Sequence, residues 1–289
     1  MTSIPSLVLN RIESRLKVIS KGFVPASGGC INNGGELVTT RGSFFTKWNS
    51  ASRYPKMLEA EASGLKVLRS AKCIHVPDVL YVDEVDDTQF IVMEFIRRSG
   101  RKGNYWTILG ERLASLHKNS NDAFGLDHDN YIGSLPQRNA AKKNWIDFFV
   151  EQRLEVQISL ANRNSGIDNS LRKNFELLFK KLPDLLPNEI PALLHGDLWS
   201  GNLMVNELGE PALIDPAVYF GCREAELAFT TLFGGFENEF YNTYDNAFPL
   251  QPGFKNRIDL YNLYPLLVHA NLFGGGYITQ VSRIVKSLV

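Results

Sequence analysis

HGDLWSGN at residues 195–202, followed at 211–217 by PALIDPA, decides the fold. Asp197, Asn202, Gly196 and Gly201 suit neither a helix nor a strand, so the segment is expected to be a loop. Loops that hold fixed carboxylates are common seats of chemistry. The spacing His195-x-Asp197-x4-Asn202 is that of the phosphotransferase catalytic loop, H-x-D-x-x-x-x-N. In that loop the Asp takes the proton of an attacking hydroxyl, and the Asn offers a neutral oxygen to Mg2+. Asp215 ends an apolar β-type run, the place where kinases carry a metal-binding Asp. Mg2+ prefers oxygen ligands and keeps waters, so one Asp, one Asn and substrate phosphates suffice. Asp197 is therefore the candidate catalytic base, and Asn202 and Asp215 the candidate metal ligands. His195 is expected to hold the loop backbone through a buried hydrogen bond. Trp199 either walls a sugar or packs under the loop.

Upstream, the same logic continues. SFFTKW puts Lys47 in a strand-like run, and Glu61 follows on a helix. A Lys–Glu pair between strand and helix would aim the ammonium at the α- and β-phosphates of ATP. Glu59 competes, but it points to another face of the helix. The stretch SGGCINNGG at 27–35 lies between two strand-like runs. Its amides at Gly28, Gly29, Cys30, Ile31 and Asn32 could close over phosphates, although it is not G-x-G-x-x-G. Met93, Glu94 and Phe95 precede a linker, where backbone groups could hydrogen-bond an adenine.

The texture of the chain predicts an α+β, bilobal arrangement. Residues 1–95 read as a nucleotide-binding lobe: a helix over 4–16, an antiparallel meander (LKVIS, ELVTT, SFFTKW), a helix over 53–70, then DVLYVDEV and TQFIVMEF joined at Asp86-Asp87. Residues 96–103, IRRSGRKG, read as a hinge. Residues 104–289 read as a helical lobe carrying the catalytic loop, with periods over 104–118, 145–161, 170–182, 224–232 and 257–272. His117 sits on an apolar helix face and reads as a satisfied core histidine.

Thirty-one basic residues balance thirty-one acidic ones, which gives no electrostatic case for nucleic acid or an anionic membrane. No apolar run approaches a membrane span, and the N-terminus lacks the basic start of a signal peptide. Three widely spaced cysteines form neither a disulfide framework nor a zinc pattern. A cytoplasmic protein is the expectation. Cys30, beside glycines in the proposed phosphate loop, could link two copies in a redox-sensitive homodimer.

LLHGDLWSGN with IDPAVYFG resembles the fructosamine-3-kinase, or ketosamine kinase, family, which has D-P-A where protein kinases have D-F-G. GGCIN, FFTK, EAEASGL, IVMEFI, LASLHK, NYIGSLPQ, NWIDFFVEQRL, AELAFTTLFGGF and NLFGGGY look like family landmarks in family order. The resemblance implies the protein-kinase-like fold and ATP- and Mg2+-dependent phosphorylation of the sugar 3-hydroxyl of ketosamines on glycated lysines. It also implies that Trp199, His269 and Asn271 face the sugar. Cys222 after Gly221 and Val268 before His269 depart from the family pattern, which bears on sugar preference. The alternative is a kinase of another small hydroxyl compound, an amino alcohol or aminoglycoside. Whether the acceptor is free or protein-bound is left open.

Overall fold

A computed structural model describes residues 3–26, 32–163 and 166–289. The chain divides into two units, Met1–Tyr105 with Met204–Asp215, and Trp106–Leu203 with Pro216–Val289.

The first unit opens with α1 (Ser6–Leu16). Val8 and Ile12 form its buried stripe, and Ile4, just before the helix, is buried with them. Each fully buried aliphatic side chain of this kind contributes about 1.5–3 kcal/mol. Leu7 belongs to the same apolar run but lies about 100° round the helix from Val8 and is exposed. Lys17 closes α1 in a left-handed conformation, φ 53°, so the first strand starts later than LKVIS suggests.

That strand is β1 (Ser20–Pro25), followed by β2 (Asn33–Thr39) and β3 (Gly42–Ser50). After α2 (Met57–Ser70) come β4 (Val79–Val85) and β5 (Thr88–Glu94). All pairings are antiparallel, in the order β1-β2-β3-β5-β4. The meander therefore stops at β3, and β5 takes the place beside it. Leu37, Trp48, Tyr81, Phe90 and Val92 form the sheet's core with Ile4, Val8 and Ile12. α2 buries Met57, Leu58, Leu65 and Leu68, the residues its spacing selects.

The segment Met204–Asp215 groups with this sheet although it lies far along the chain. Leu203–Val205 and Pro211–Leu213 form a short hairpin, and Leu213 N–H donates to the His75 carbonyl at 2.9 Å. The basic stretch after β5 is strapped to the same hairpin. Ser99 donates to the Asn206 carbonyl at 2.6 Å, and Lys102 pairs with Glu210 at 2.9 Å.

The second unit is mainly helical. Its elements are α3 (Tyr105–His117), α4 (Trp145–Phe148), a π-helical turn over Phe149–Leu154, α5 (Glu155–Arg163), α6 (Asn169–Leu185), α7 (Arg223–Thr230), α8 (Asn238–Ala247), α9 (Phe254–Tyr261), α10 (Leu263–Phe273) and α11 (Tyr277–Leu288). The single period expected over 257–272 is two helices, and α8 and α11 were not expected. Asp168 caps α6 by accepting from Leu171 N–H at 2.7 Å. Ala192–Leu194 pairs with Tyr219–Gly221, and this ribbon flanks the 195–202 loop in sequence. Its core runs through Phe148, Phe149, Phe175, Leu194, Tyr219, Cys222, Leu267 and Val281.

Candidate active site

Lys47 sits mid-strand in β3, across from Gly34 on β2 and Ile91 on β5. Its side chain is buried, and its ammonium donates to Glu61 on α2 at 2.7 Å and to Asp215. Glu59 is exposed, so α2 presents Glu61 to the strand and not Glu59. Burial works against the charged amine. Asp215 and Glu61 outweigh it and hold the Lys47 pKa well above its ordinary value. Burial pushes the Glu61 carboxyl up, against the pull of Lys47. Asp215 has φ 56°, a left-handed conformation uncommon for any residue but Gly, and its side chain is 46% exposed. One ammonium faces two carboxyl groups, so the cluster suits a further cation with hard-oxygen preference.

The 195–202 loop is fixed from several sides. His195 is fully buried. Its Nδ1 accepts from Asp197 N–H at 3.3 Å, and its carbonyl accepts from Ala217 N–H at 2.9 Å. The N–H groups of His195 and Gly196 donate to the Glu226 carboxylate at 3.2 and 2.6 Å. Gly196 has φ 84°, and a Cβ there would lie 2.0 Å from the Ala217 oxygen, so only glycine fits. Asn202 ends a 3₁₀ turn, Ser200–Asn202, and is buried. Its Nδ2 donates to the Asp197 carbonyl and to Asp197 Oδ2, both at 2.9 Å. This contact fixes the amide's orientation, with its oxygen as a hard neutral donor suited to Mg2+.

Trp199 is 37% exposed and lies over its own loop: a Cβ at Gly201 would sit 2.3 Å from its ring. An aromatic series leads away from it. Trp199 meets Phe233 edge-on at 6.2 Å between centroids, Phe233 meets His269 at 4.6 Å, and His269 meets Phe273 at 5.6 Å and Tyr277 at 5.3 Å. His269 Nδ1 donates to the Pro265 carbonyl at 2.8 Å. Burial holds its pKa below the ordinary value, so the ring is neutral at neutral pH. Asn271 spends its amide nitrogen on Gln157, at 3.0 and 2.8 Å, tying α10 to α5. Cys222 and Val268 are both buried in the core. Burial pushes the Cys222 thiol up to about 12.

Residues 7–289 match the family described as Fructosamine kinase. The chain belongs to the fructosamine kinase family. A Synechocystis protein named as a probable ketoamine kinase is 41% identical over 266 residues, covering 90% of this chain and 88% of its own. A chloroplastic protein-ribulosamine 3-kinase of Arabidopsis thaliana is 40% identical, over 89% of this chain and 79% of its own. A crystal structure named for a fructosamine-3-kinase, from Thermobifida fusca, superposes with TM-score 0.88 at 29% identity and 99% coverage of both chains. A spectinomycin phosphotransferase bound to ADP and spectinomycin gives TM-score 0.61 at 15% identity over 99% of this chain and 95% of its own, a likeness of fold alone. The fold is the α+β, protein-kinase-like one that the resemblance implies, with a five-stranded antiparallel sheet and a larger helical part.

Within this family member the expected residues fall into two groups. Lys47, Glu61 and Asp215 meet in the first unit; Asp197 and Asn202 meet in the second. Gly28, Gly29, Cys30 and Ile31 lie outside the described residues. Asn32 is described, and its Oδ1 accepts from Asn49 at 2.6 Å. At Glu94, in the segment expected to meet an adenine, the amide and the side chain have partners within the first unit. Its N–H donates to the Asp78 carbonyl at 2.8 Å, and its carboxylate takes Asp78 N–H at 3.1 Å and His75 Nε2 at 3.2 Å. β5 has a neighbour on each side, and the ladder consumes such amides. Met93 is likewise inside the ladder, and Phe95 lies just past it.

Two residues at this site had no assigned role. Phe233 and Glu226 are read from the sequence only as part of the AELAFTTLFGGF landmark. Glu226 looks like an ordinary carboxylate on a helix, and only its burial, 3% exposed, sets it apart.

Proposed function

We propose that this chain transfers the γ-phosphoryl group of ATP to the sugar 3-hydroxyl of ketosamines, fructosamines or ribulosamines, and so acts in deglycation repair. The reading is carried by the 195–202 loop. Asp197 and Asn202 have the spacing of a phosphotransferase catalytic loop and are bonded to each other, in a chain of the fructosamine kinase family. The relatives' names support the acceptor class, and one of them specifies a ribulosamine 3-kinase.

Asp197 orients the ketosamine hydroxyl and accepts its proton late, as the hydroxyl oxygen bonds to the γ-phosphorus. The bond from that phosphorus to the β–γ bridging oxygen breaks, and ADP leaves with the electron pair. Lys47, held by Glu61, steadies the α- and β-phosphates. Positioning and charge stabilisation supply most of the acceleration. Asp215 and Asn202 each carry a side-chain oxygen of the donor type that would suit Mg2+. When bound, the ion neutralises phosphate charge. Amides at 28–32 would cover the phosphates. On the acceptor side, Trp199 and neutral His269 offer an apolar wall and an acceptor for the sugar; Asn271 would act through its link to Gln157.

ATP consumption measured with fructoselysine, ribuloselysine and a panel of amino alcohols tests this. Turnover of the amino alcohols alone would overturn the acceptor class. ATP binding without turnover of any acceptor would leave a nucleotide-binding scaffold. The likeness to spectinomycin phosphotransferase carries the fold only and does not favour an aminoglycoside. Among the described residues no helix is long and apolar enough to cross a membrane. A cytoplasmic setting belongs to the proposal on the odd number and wide spacing of the cysteines. A dimer through Cys30 finds no support in the comparisons and forms no part of the proposal.

A further inference from the structure

We propose that Gln137 is a positioning residue for phosphotransfer: it holds the Ala217 carbonyl against the catalytic loop and so sets where Asp197 stands. The proposal rests on the phosphotransfer reading above and adds a buried residue from a different part of the second unit.

Gln137 ends a hairpin in which Asn130–Ile132 pairs with Leu135–Gln137. Its side chain is buried, and both ends of its amide are used. Nε2 donates to the Ala217 carbonyl at 3.0 Å and to Asn130 Oδ1 at 2.8 Å; Oε1 accepts from the Tyr264 hydroxyl at 2.6 Å. Asn130 Nδ2 donates in turn to the Val218 carbonyl at 2.8 Å. Two side-chain amides thus pin two adjacent carbonyls.

Arg153 decides which way these amides point. It is fully buried in the π-helical turn, with its guanidinium 4.0 Å from the Tyr219 ring centroid and 4.6 Å from that of Phe148. A guanidinium only donates. Arg153 Nη2 donates to Asn139 Oδ1 at 2.9 Å, and Asn139 Nδ2 then donates to Asn130 Oδ1 at 3.0 Å. Asn130 Oδ1 is thereby a shared acceptor, and Gln137 must meet it with Nε2. Donation runs in one direction, from Arg153 toward Ala217 and Val218. A buried network whose members are satisfied in this way is rigid.

Ala217 meets the catalytic loop through both of its backbone polar groups. Its N–H donates to the His195 carbonyl at 2.9 Å. Its oxygen stands 2.0 Å from where a Cβ on Gly196 would lie. Asp197 is the next residue, so a displacement of Ala217 passes through His195 and Gly196 to the catalytic carboxylate. Deleting the Gln137 donor leaves the Ala217 oxygen without that bond, and the segment relaxes to recover it.

The test compares the parent with Gln137→Met and Gln137→Glu, below each variant's Tm and with kcat normalised to the folded, ATP-binding fraction. Met keeps the length and removes every hydrogen bond. Glu keeps the acceptor for Tyr264, but its carboxylate cannot donate to Ala217. Both variants are expected to lose about 10- to 100-fold in kcat while KM for ATP stays within about twofold, because displacing a reacting group by about 1 Å has that effect. Tyr264→Phe keeps both Gln137 donors and should lose less than about fivefold; in the Gln137→Met background it should cost nothing further, because it acts through Gln137. If one Gln137 variant fails to fold, the other carries the same split between kcat and KM. If neither folds, Tyr264→Phe decides: a kcat loss at unchanged KM supports the proposal, and parent-like kcat overturns it. A merely structural role would lower Tm and leave normalised kcat within about twofold of the parent in both Gln137 variants, and that result overturns the proposal. So does a KM for ATP that rises as kcat falls, or a Tyr264→Phe loss that simply adds to that of Gln137→Met. Turnover by the parent is measured first, on the acceptors named above. A parent inactive on all of them sinks the phosphotransfer reading and this proposal with it; an active parent with unchanged variants sinks only the role of Gln137.

Discussion

The proposal asks the Asp197 carboxylate to hold a hydroxyl and receive its proton. Removing its charge while keeping its shape isolates that task. Asp197→Asn should lower kcat by about 10²- to 10⁴-fold, with ATP affinity nearly unchanged, as measured by steady-state kinetics and isothermal titration. Parent-like turnover by this variant would remove Asp197 from the reaction. Lys47 poses the opposite case. It is buried between Glu61 and Asp215, so Lys47→Ala leaves two carboxyl groups facing each other. KM for ATP should rise by about tenfold or more, in line with the cost of uncovering a buried partner; a KM equal to the parent's would place Lys47 outside the nucleotide site. Lys47 and Glu61 were legible in the sequence because strand-to-helix spacing puts such a pair together. The orientation of the Asn202 amide was not, since it depends on the contact with Asp197.

At the scale of the element, a helix can be weakened without touching chemistry. Asp168 caps α6 with a 2.7 Å bond to Leu171 N–H. Asp168→Ala should cost about 1 kcal/mol of stability and leave kcat unchanged; a drop in kcat at full folding would show that α6 is coupled to the site. The amphipathic helices were legible from their apolar period, α2 down to its individual buried residues. α8 was not, because NEFYNTYDNA buries only Phe240 and Tyr244 among polar neighbours. α11 follows Gly274–Gly276, which interrupts the period. β1 was shifted because Lys17 caps α1 in a left-handed turn that local propensity does not announce.

For the whole molecule, buried charge links stability to pH. The Glu226 carboxyl is depressed below its ordinary value of 4.5 in the folded state. A depressed acid stabilises the fold above its unfolded pKa, and that stability is lost as pH falls through the folded pKa. The parent should therefore be more stable than Glu226→Gln at pH 7. The gap should narrow as the pH is taken below the ordinary carboxylate range, as read from urea unfolding at each pH. A gap that stays constant down to acid denaturation would show that the carboxyl is not ionised in the folded protein. Arg257 and Glu224 give a second case. The pair is bidentate, at 2.7 and 2.6 Å, and the Glu224 side chain is fully buried. Removing the arginine leaves an unpaired buried charge, a change that costs about 3–5 kcal/mol.

The proximity of Asp197 and Asn202 was readable from residue order because it depends on short spacings: His195 to Asn202 lie within one loop, and their side chains follow from a few backbone angles. The α+β class followed from the same local periods. The clamp on that loop could not be read this way. Glu226 meets His117 across 109 residues of chain and the His195 amide across 31, and His117 meets Tyr244 across 127. The aromatic series from Trp199 to Tyr277 likewise joins separate helices. Such contacts exist only once packing has paired the helices, since burial and hydrogen bonding between distant segments depend on where each segment lands and not on its own sequence.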